Sequence, residues 1–309
     1  MPDWKRMNQE FINELNVVIG KENIRLEEPM AKHTTFQIGG PAQVFVTPKT
    51  VKEIQQIVRI CNAKEVPFFV LGNGSNLLVS DQGMDGVVIQ LYRNFSDFQI
   101  EGNIVTAQAG TMLASIGNAT REAALTGFEF ASGIPGTLGG AVMMNAGAYG
   151  GEMKDIIKTV QLMDLEGNVL EKTCDEMDFG YRHSIVEDKH FIVLGAVLEL
   201  TEGDKEAISL RMKELSEARR EKQPLEFPSA GSTFKRPEGH FAGKLIMDAN
   251  LRGYRVGGAQ ISEKHCGFVV NRGGATAEDV LDLIRDVQDK VYETFQVKLE
   301  PEIKLVGRQ

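Results

Sequence analysis

The run FASGIPGTLGGAVMMNAGAYGG, Phe130 to Gly151, decides how this chain is read. It holds twenty-two residues without a charge, and seven of them are glycines: Gly133, Gly136, Gly139, Gly140, Gly147, Gly150 and Gly151. The length is that of a membrane span, but Pro135 and the glycines break any continuous apolar helix surface. Glycine loses more conformational entropy on folding than any other residue, so a dense run has a cause. Two causes stand open. The backbone needs positive φ angles, or something large and flat lies directly on the main chain and is held by its N–H groups. A core turn packed with small residues accounts for the run equally well at this stage.

Outward from this run toward the N-terminus, Thr111 to Leu125 has the spacing of a helix closed by Gly127. Asp97 to Gln108 reads as a hairpin around Glu101-Gly102-Asn103, and Val87 to Leu91 as a strand. Pro67 to Ser80, PFFVLGNGSNLLVS, is an apolar strand that runs into Gly72-Asn73-Gly74-Ser75-Asn76 and then into a second apolar run. Such a loop presents successive backbone N–H groups, a nest suited to a phosphate, although a plain β-turn has the same composition. It lacks the third glycine of a dinucleotide fingerprint, and Leu77 to Ser80 reads as strand rather than helix. Further out, Thr50 and Glu53 have capping-box spacing and open a helix with Ile54, Ile57, Val58 and Cys61 on one face. Val44 to Val46 is a short strand after the turn Gly39-Gly40-Pro41. The first helix carries Trp4, Met7, Phe11, Leu15 and Val18 at helical spacing, with Gly20 as its stop.

Toward the C-terminus, Thr159 to Leu170 is a second hairpin, turning at Glu166-Gly167-Asn168, and His190 to Leu200 is strand-like. Hairpins make the sheet at least partly antiparallel, so the fold class is α+β rather than doubly wound. Asp204 to Lys222 is a charged helix with Ile208, Met212, Leu215 and Ala218 on its apolar face, ended by Pro224. It marks the expected boundary between a domain of residues 1–203 and one of residues 204–298. Beyond it lie short strands at Ala259–Ile261 and Gly267–Asn271. A helix opening at Thr276 turns Val280, Ile284, Val287 and Val291 inward. The tail KLEPEIKLV is a last strand, within a returning segment of residues 299–309.

Composition narrows the function. A chain of 309 residues is long enough for two or three domains. A net charge of −9 gives it no general attraction to nucleic acid or anionic membrane. Cys61, Cys174 and Cys266 are far apart, without a CxxC, which speaks against a zinc site or disulfide framework and for a reducing compartment. The polar start MPDWKRMNQEFINELN has no signal-peptide core, so a cytoplasmic protein is expected. Several short matches fail. Asp178-Phe179-Gly180 lacks the other kinase motifs, and Gly239 to Lys244 is one residue short of a P-loop and is followed by Leu245 instead of a hydroxyl residue. The five histidines, His33, His183, His190, His240 and His265, are scattered, so no metal site is expected.

Polar residues in glycine-rich, turn-rich settings remain: Tyr181-Arg182 in FGYRHS, Ser232 in AGSTFKRP and Glu302 in LEPEIK. Each alone reads more readily as a surface ion-pair partner, a turn residue or an exposed strand residue. Between Lys205 and Lys264, however, twelve Lys/Arg face eight Asp/Glu, a balance of +4 that leaves the rest of the chain at −13. Arg219, Lys222, Lys235 and Arg236 flank the Ser232 turn. A basic cluster on an acidic protein suits a phosphate-bearing small ligand, and a solvated helix face accounts for Arg219 and Lys222 as well.

Together and in this order, TTFQIGGPA, LGNGSNLLV, SGIPGTLGGAVMMNAGAYG, FGYRHS, AGSTFKRP and LEPEIK resemble the UDP-N-acetylenolpyruvoylglucosamine reductase family, from about Thr34 to Lys304. Any one motif is weak; six in order are specific. The resemblance implies non-covalent FAD in a two-part α+β domain of the vanillyl-alcohol-oxidase type, a smaller α+β substrate domain, and NADPH as electron source. It implies that Gly72, Asn73, Gly74, Ser75 and Asn76 hold the FAD diphosphate. Ser132, Gly133, Ile134, Pro135, Gly136 and Thr137, with Gly140 and Asn145, then meet the flavin. Arg182, Ser232 and Glu302 match the family's catalytic positions. Lys222 and Arg236 match positions on the UDP diphosphate, and Tyr181 and Arg219 are grouped with them as substrate contacts. The chain has no room for the tyrosine-bearing loop of the family's longer branch, and Arg236 stands where that branch has asparagine. Two other readings stay in play. One is a related flavin oxidase of sugars, alcohols or hydroxy acids; the other is a non-catalytic nucleotide binder.

Overall fold

The computed structural model describes residues 4–308, with side chains from residue 9 onward. The chain divides into two compact units. The first comprises Met1–Leu26, Val44–Asn73 and Gly86–Glu217; the second comprises Glu27–Gln43, Gly74–Asp85 and Ala218–Gln309. The second unit therefore includes two early segments, 27–43 and 74–85, that a continuous division at residue 203 leaves with the first. One of the crossings, Asn73 to Gly74, falls inside the glycine loop.

In the first unit a five-stranded antiparallel sheet runs in the order Val169–Thr173, Ile157–Met163, Ile192–Glu199, Ile104–Gln108, Phe98–Glu101. Both expected hairpins are in it. Glu101 pairs with Ile104 across Gly102-Asn103, and Met163 pairs with Val169. One face is buried through Val105, Ala107, Val160, Leu162, Ala196 and Leu198, the period-two pattern of a half-buried sheet. A second sheet runs Ile24–Pro29, Pro41–Val46, Met84–Gln90, Phe68–Leu71, its last pair parallel; residues 27–29, 41–43 and 84–85 of these strands belong to the second unit. Helix Val51–Ala63 starts at Thr50, whose side chain accepts from the Glu53 N–H. The Glu53 carboxylate answers one residue early, taking the N–H of Lys49 rather than of Thr50. Ile54, Ile57, Val58 and Cys61 on this helix are fully buried, and burial pushes the Cys61 thiol up to about 12. In the opening helix, Trp4–Ile19, Phe11 and Leu15 are buried and Val18 is half-buried, while the side chains of Trp4 and Met7 lie outside the described residues.

Two elements are shorter than their spacing suggests. The helix expected over Thr111 to Leu125 spans Leu113–Glu122, and Leu125–Thr126 pairs instead with Thr201–Glu202. Ala124 at φ 55 has already left the helical region. In the tail only Lys304–Val306 is strand; Pro301, with no N–H to give, makes an isolated bridge to Phe234.

In the second unit an antiparallel sheet runs Ser229–Ser232, Phe268–Asn271, Ala259–Ile261, Arg255–Val256. Helix Ala277–Phe295 buries Val280, Leu283, Ile284, Val287 and Val291, each at about 1.5–3 kcal/mol for a fully buried side chain. Its start is doubly capped. Thr276 and Asp279 form the reciprocal box, and Asp81 accepts from the N–H groups of Ala277 and Glu278. The Asp279 carboxylate also takes the Gly258 N–H at 3.0 Å. That bond, then the one from Thr276, holds its pKa below the ordinary carboxylate value. Because the folded pKa is depressed, the stabilisation is present above about pH 4 and is lost as pH falls through the folded value. Asp279→Ala is therefore expected to lower stability at pH 7 by about 1–2 kcal/mol, the cost of a lost cap and an orphaned N–H. The denaturation gap to wild type should narrow as pH drops to about 3. A gap equally wide at both pH values would refute this. Among the described residues no helix is long and apolar enough to cross a membrane.

Candidate active site

The uncharged run folds into a short helix, Leu138–Met143, followed by a turn between the two-residue strands Gly147–Ala148 and Gly151–Glu152. Of its seven glycines only Gly150 has a positive φ among the described residues, so backbone freedom is the minor cause of the run. Close packing explains Gly139, where an added Cβ would meet the Ala109 Cβ at 2.9 Å, and Gly151, where it would strike the Phe130 ring at 2.6 Å. Gly140 is different. It is exposed, and an added Cβ would have only the Thr137 hydroxyl near it, at 3.7 Å. The protein's own packing does not ask for glycine there; a ring laid on the backbone would.

The run is tied down by backbone pairing. Leu138 N–H donates to Thr111 O at 2.8 Å, Gly139 N–H to Ala109 O at 2.8 Å, and Leu113 N–H to Gly136 O at 3.0 Å. The Asn73 side chain donates to Pro135 O at 2.9 Å, joining the glycine loop to the segment Ser132 to Thr137 within the first unit. Gly72 faces the Thr137 hydroxyl so closely that a Cβ there would lie 2.4 Å from it.

The FGYRHS segment is drawn onto the same run. Gly180 and His183 exchange backbone bonds of 3.1 and 3.3 Å, which places Tyr181 and Arg182 at the tip of a tight turn. Arg182 sits at φ 55, a conformation few non-glycine residues adopt. Its Nη2 donates to Gly147 O at 3.4 Å and its guanidinium carbon lies 5.2 Å from the Tyr181 ring centroid. Asn145 is buried at 1% exposure. Its amide donates to Gly180 O at 3.0 Å and to Glu152 at 2.6 Å and accepts from the Lys154 N–H. It thus acts as an internal knot. Ser184, fully buried, donates to Met143 O at 2.8 Å and is a second knot that sequence reading missed. Beside this turn Asp178, His183 and Asp188 bring their ligand atoms within 4.8 Å of one another. All three are at least partly exposed, and solvated carboxylates around an imidazole need no ion.

In the second unit, Gly74 has φ 62, and a Cβ on it would lie 2.1 Å from His33 O, so only glycine fits this turn. Among the described residues the N–H groups of Gly74 and Ser75, like that of Asn73 on the first unit's side of the crossing, donate to no backbone carbonyl. Asn76 donates through its side chain to Glu302 O at 3.1 Å and accepts from the Lys304 N–H at 2.9 Å. Strand Leu77–Val79 then pairs in parallel with Lys304–Val306. Glu302 N–H in turn donates to Thr233 O at 2.8 Å. The loop, the Ser232 strand and Glu302 are therefore woven together inside this unit. Ser232 is exposed, next to Gly231 at φ 78, and Glu302 is half-buried.

The basic residues differ in setting. Arg219 is buried and Lys222 is exposed, both in the last turn of helix Lys205–Lys222. The Arg236 guanidinium lies 4.1 Å from the centroid of the exposed Phe241 ring. Lys244, from the near-miss P-loop, pairs with Asp248 at 2.7 Å on its own helix.

These features fit an FAD. Taken each by itself, the glycine loop is a nest of backbone donors that suits a diphosphate, and Gly140 in the first unit is bare backbone in an uncharged run that suits a flat ring. The fold is α+β with a flavin-binding domain of the vanillyl-alcohol-oxidase type, and residues 42–173 match an FAD binding domain. A glucose dehydrogenase, wild-type Phl p 4.0202, shares this fold at a TM-score of 0.50 over 64% of this chain and 45% of its own, with 17% identity. Residues 223–306 match the C-terminal domain of UDP-N-acetylenolpyruvoylglucosamine reductase. The reductase of Clostridioides difficile is 52% identical over 96% of this chain and 97% of its own. That of Lachnoclostridium phytofermentans is 51% identical over 98% and 99%. The crystal structure of the Thermus caldophilus reductase aligns at a TM-score of 0.79 and 40% identity, over 91% of this chain and 99% of its own. The chain belongs to the UDP-N-acetylenolpyruvoylglucosamine reductase family.

Proposed function

We propose that this protein reduces UDP-N-acetylenolpyruvoylglucosamine to UDP-N-acetylmuramate, a step of peptidoglycan synthesis, with NADPH as reductant. One hydride and one proton saturate the vinyl bond of the enolpyruvyl ether. When bound, FAD supplies the hydride-carrying chemistry between NADPH and the vinyl CH2 carbon. Addition there drives electrons onto the neighbouring carbon and into its carboxylate, so the site has to stabilise an enolate-like dianion. Arg182 would hold the carboxylate with a planar, permanently charged fork. Ser232 would deliver the proton to the carbon bearing the ether oxygen. Glu302 would donate a hydrogen bond to the developing anion as a neutral acid. Gly72 to Asn76 would hold the FAD diphosphate, and Ser132 to Thr137 with Gly140 would hold its ring, on a backbone kept in shape by Asn145. Lys222 and Arg236 would meet the UDP diphosphate, with Tyr181 and Arg219 as further substrate contacts.

The observation that supports this reading most is the bond from Glu302 N–H to Thr233 O. It ties Glu302 to the residue that follows Ser232, and Ser232 and Glu302 are the two residues that the resemblance assigns to the reductase pattern. The three free cysteines suit a reducing compartment, and we assign the enzyme to the cytoplasm. The visible spectrum of the purified protein tests the reading. A flavin band should bleach with anaerobic NADPH and return on adding the enolpyruvyl sugar nucleotide. A band that bleaches and stays bleached would point to another substrate, as in the related oxidases. Protein that binds no FAD even when it is supplied would be a nucleotide binder only.

A further inference from the structure

The strand Ser229–Ser232 is not a regular partner of Phe268–Asn271. Ser229 pairs with Val270 and Ser232 with Phe268, so Ala230 and Gly231 together stand opposite Val269, and the strand is bulged immediately before Ser232. Gly231, at φ 78, makes the bend, and nothing lies within 4 Å of the Cβ it lacks. A bulge re-aims the side chain that follows it, but on its own leaves that side chain loosely held. Ser232 is also exposed, so no packing fixes its hydroxyl.

The next residue makes up for this. Thr233 is 1% exposed and makes three bonds to two separate segments, Gly267–Val269 and Glu302. Its N–H donates to Gly267 O at 2.8 Å, its carbonyl accepts from the Glu302 N–H at 2.8 Å, and its hydroxyl oxygen accepts from the Val269 N–H at 2.9 Å. Two of these are backbone bonds that any residue would form. The third needs a side-chain oxygen, and it clamps the bulged strand to the residue opposite the bulge. We propose that the Thr233 hydroxyl is a positioning group for the reaction, fixing the Ser232 hydroxyl relative to Glu302 by holding the bulge closed. Thr233 does not touch substrate; it acts through Ser232. The proposal rests on the reductase reading given above.

The test compares Thr233→Val, which keeps the shape and loses the acceptor, with Thr233→Ser, which keeps the acceptor. In Thr233→Val, reoxidation of NADPH-bleached flavin by the enolpyruvyl sugar nucleotide should fall roughly 10- to 100-fold, the size of effect a displacement of about 1 Å produces. Bleaching by NADPH should be unchanged, and Thr233→Ser should recover most of the loss. In a Ser232→Ala background Thr233→Val should add nothing, because the group it positions is gone. Read by hydrogen exchange on the flavin-loaded protein, the Val269 amide should exchange with solvent faster in Thr233→Val and at the wild-type rate in Thr233→Ser. Equal losses in both half-reactions, a full additional loss on top of Ser232→Ala, or an unchanged Val269 amide would each overturn the positioning role. If Thr233→Val does not fold, Thr233→Ser with wild-type exchange and wild-type reoxidation still supports it, and Thr233→Ser as slow as Ser232→Ala overturns it. A wild-type flavin that the sugar nucleotide does not reoxidise overturns the assigned reaction, and the proposal with it.

Discussion

Ser232→Ala is expected to keep flavin bleaching by NADPH within about twofold and to slow reoxidation by the enolpyruvyl sugar nucleotide by about 10²- to 10⁴-fold, the range spanned by a general acid. Hydride transfer from NADPH moves no proton onto carbon, so the first half-reaction has no use for the hydroxyl. The second cannot finish without a proton on the carbon bearing the ether oxygen. In the proposed reaction that proton comes from Ser232, and a serine, being a weak acid, is competent only through its position. On the proposed role of Thr233, that position is set by the Gly231 bend on one side and the three bonds of Thr233 on the other. Removing the hydroxyl leaves both anchors intact, so the variant should fold and bind flavin normally. Stopped-flow traces of the two half-reactions separate the cases. A loss shared equally between them would mean that Ser232 shapes the site or the flavin environment and is not the acid.

What was legible in the sequence follows the range of the forces involved. Elements specified by neighbours a few residues apart stood out. The two Glu-Gly-Asn hairpins, the capped helix from Thr276 and the apolar face of Ile54, Ile57, Val58 and Cys61 are all present in the structure. Boundaries that depend on distant partners were read less well. Leu125–Thr126 leaves its expected helix because Thr201–Glu202 pairs with it. The division into units depends on distant partners too, since segments 27–43 and 74–85 cluster with the stretch that begins only at Ala218. At the candidate site, the residues proposed to bear chemistry were named only through the resemblance that six motifs carry together. The bonds that hold them could not be read. Ser184 bonds to a carbonyl 41 residues away and Asn145 to one 35 residues away, while Asp81 caps a helix 196 residues on. A buried serine or threonine looks the same in sequence whether it satisfies a turn or locks a catalytic strand. The glycine run shows the same limit. Composition left two causes open, and only the packing around Gly139, Gly140 and Gly151 separates backbone kept bare by neighbours from backbone with nothing on it.

Arg182→Lys is expected to keep bleaching by NADPH and to slow reoxidation by the sugar nucleotide about 10²- to 10³-fold, the scale of losing one preorganised donor to a developing oxyanion. The substitution isolates geometry from charge. Both side chains are cationic, and both carry a Cβ, so the cost of sitting at φ 55 is unchanged between them. What differs is the fork. An arginine can present two parallel N–H groups to the substrate carboxylate, whereas a lysine presents one compact ammonium on a more mobile stem. In the proposed role, that fork is prepared in advance. The Gly180 to His183 turn fixes the backbone, the Tyr181 ring lies beside the guanidinium, and one Nη2 hydrogen is directed at Gly147 O in the uncharged run. None of these contacts is available to a lysine in the same form. Added guanidinium should partly restore reoxidation in Arg182→Ala and leave Arg182→Lys slow, because the cavity vacated by the side chain is open only in the first. Reoxidation at the wild-type rate in Arg182→Lys would show that charge alone suffices at this position, and the enolate-like state would then need its directed donors from elsewhere in the site.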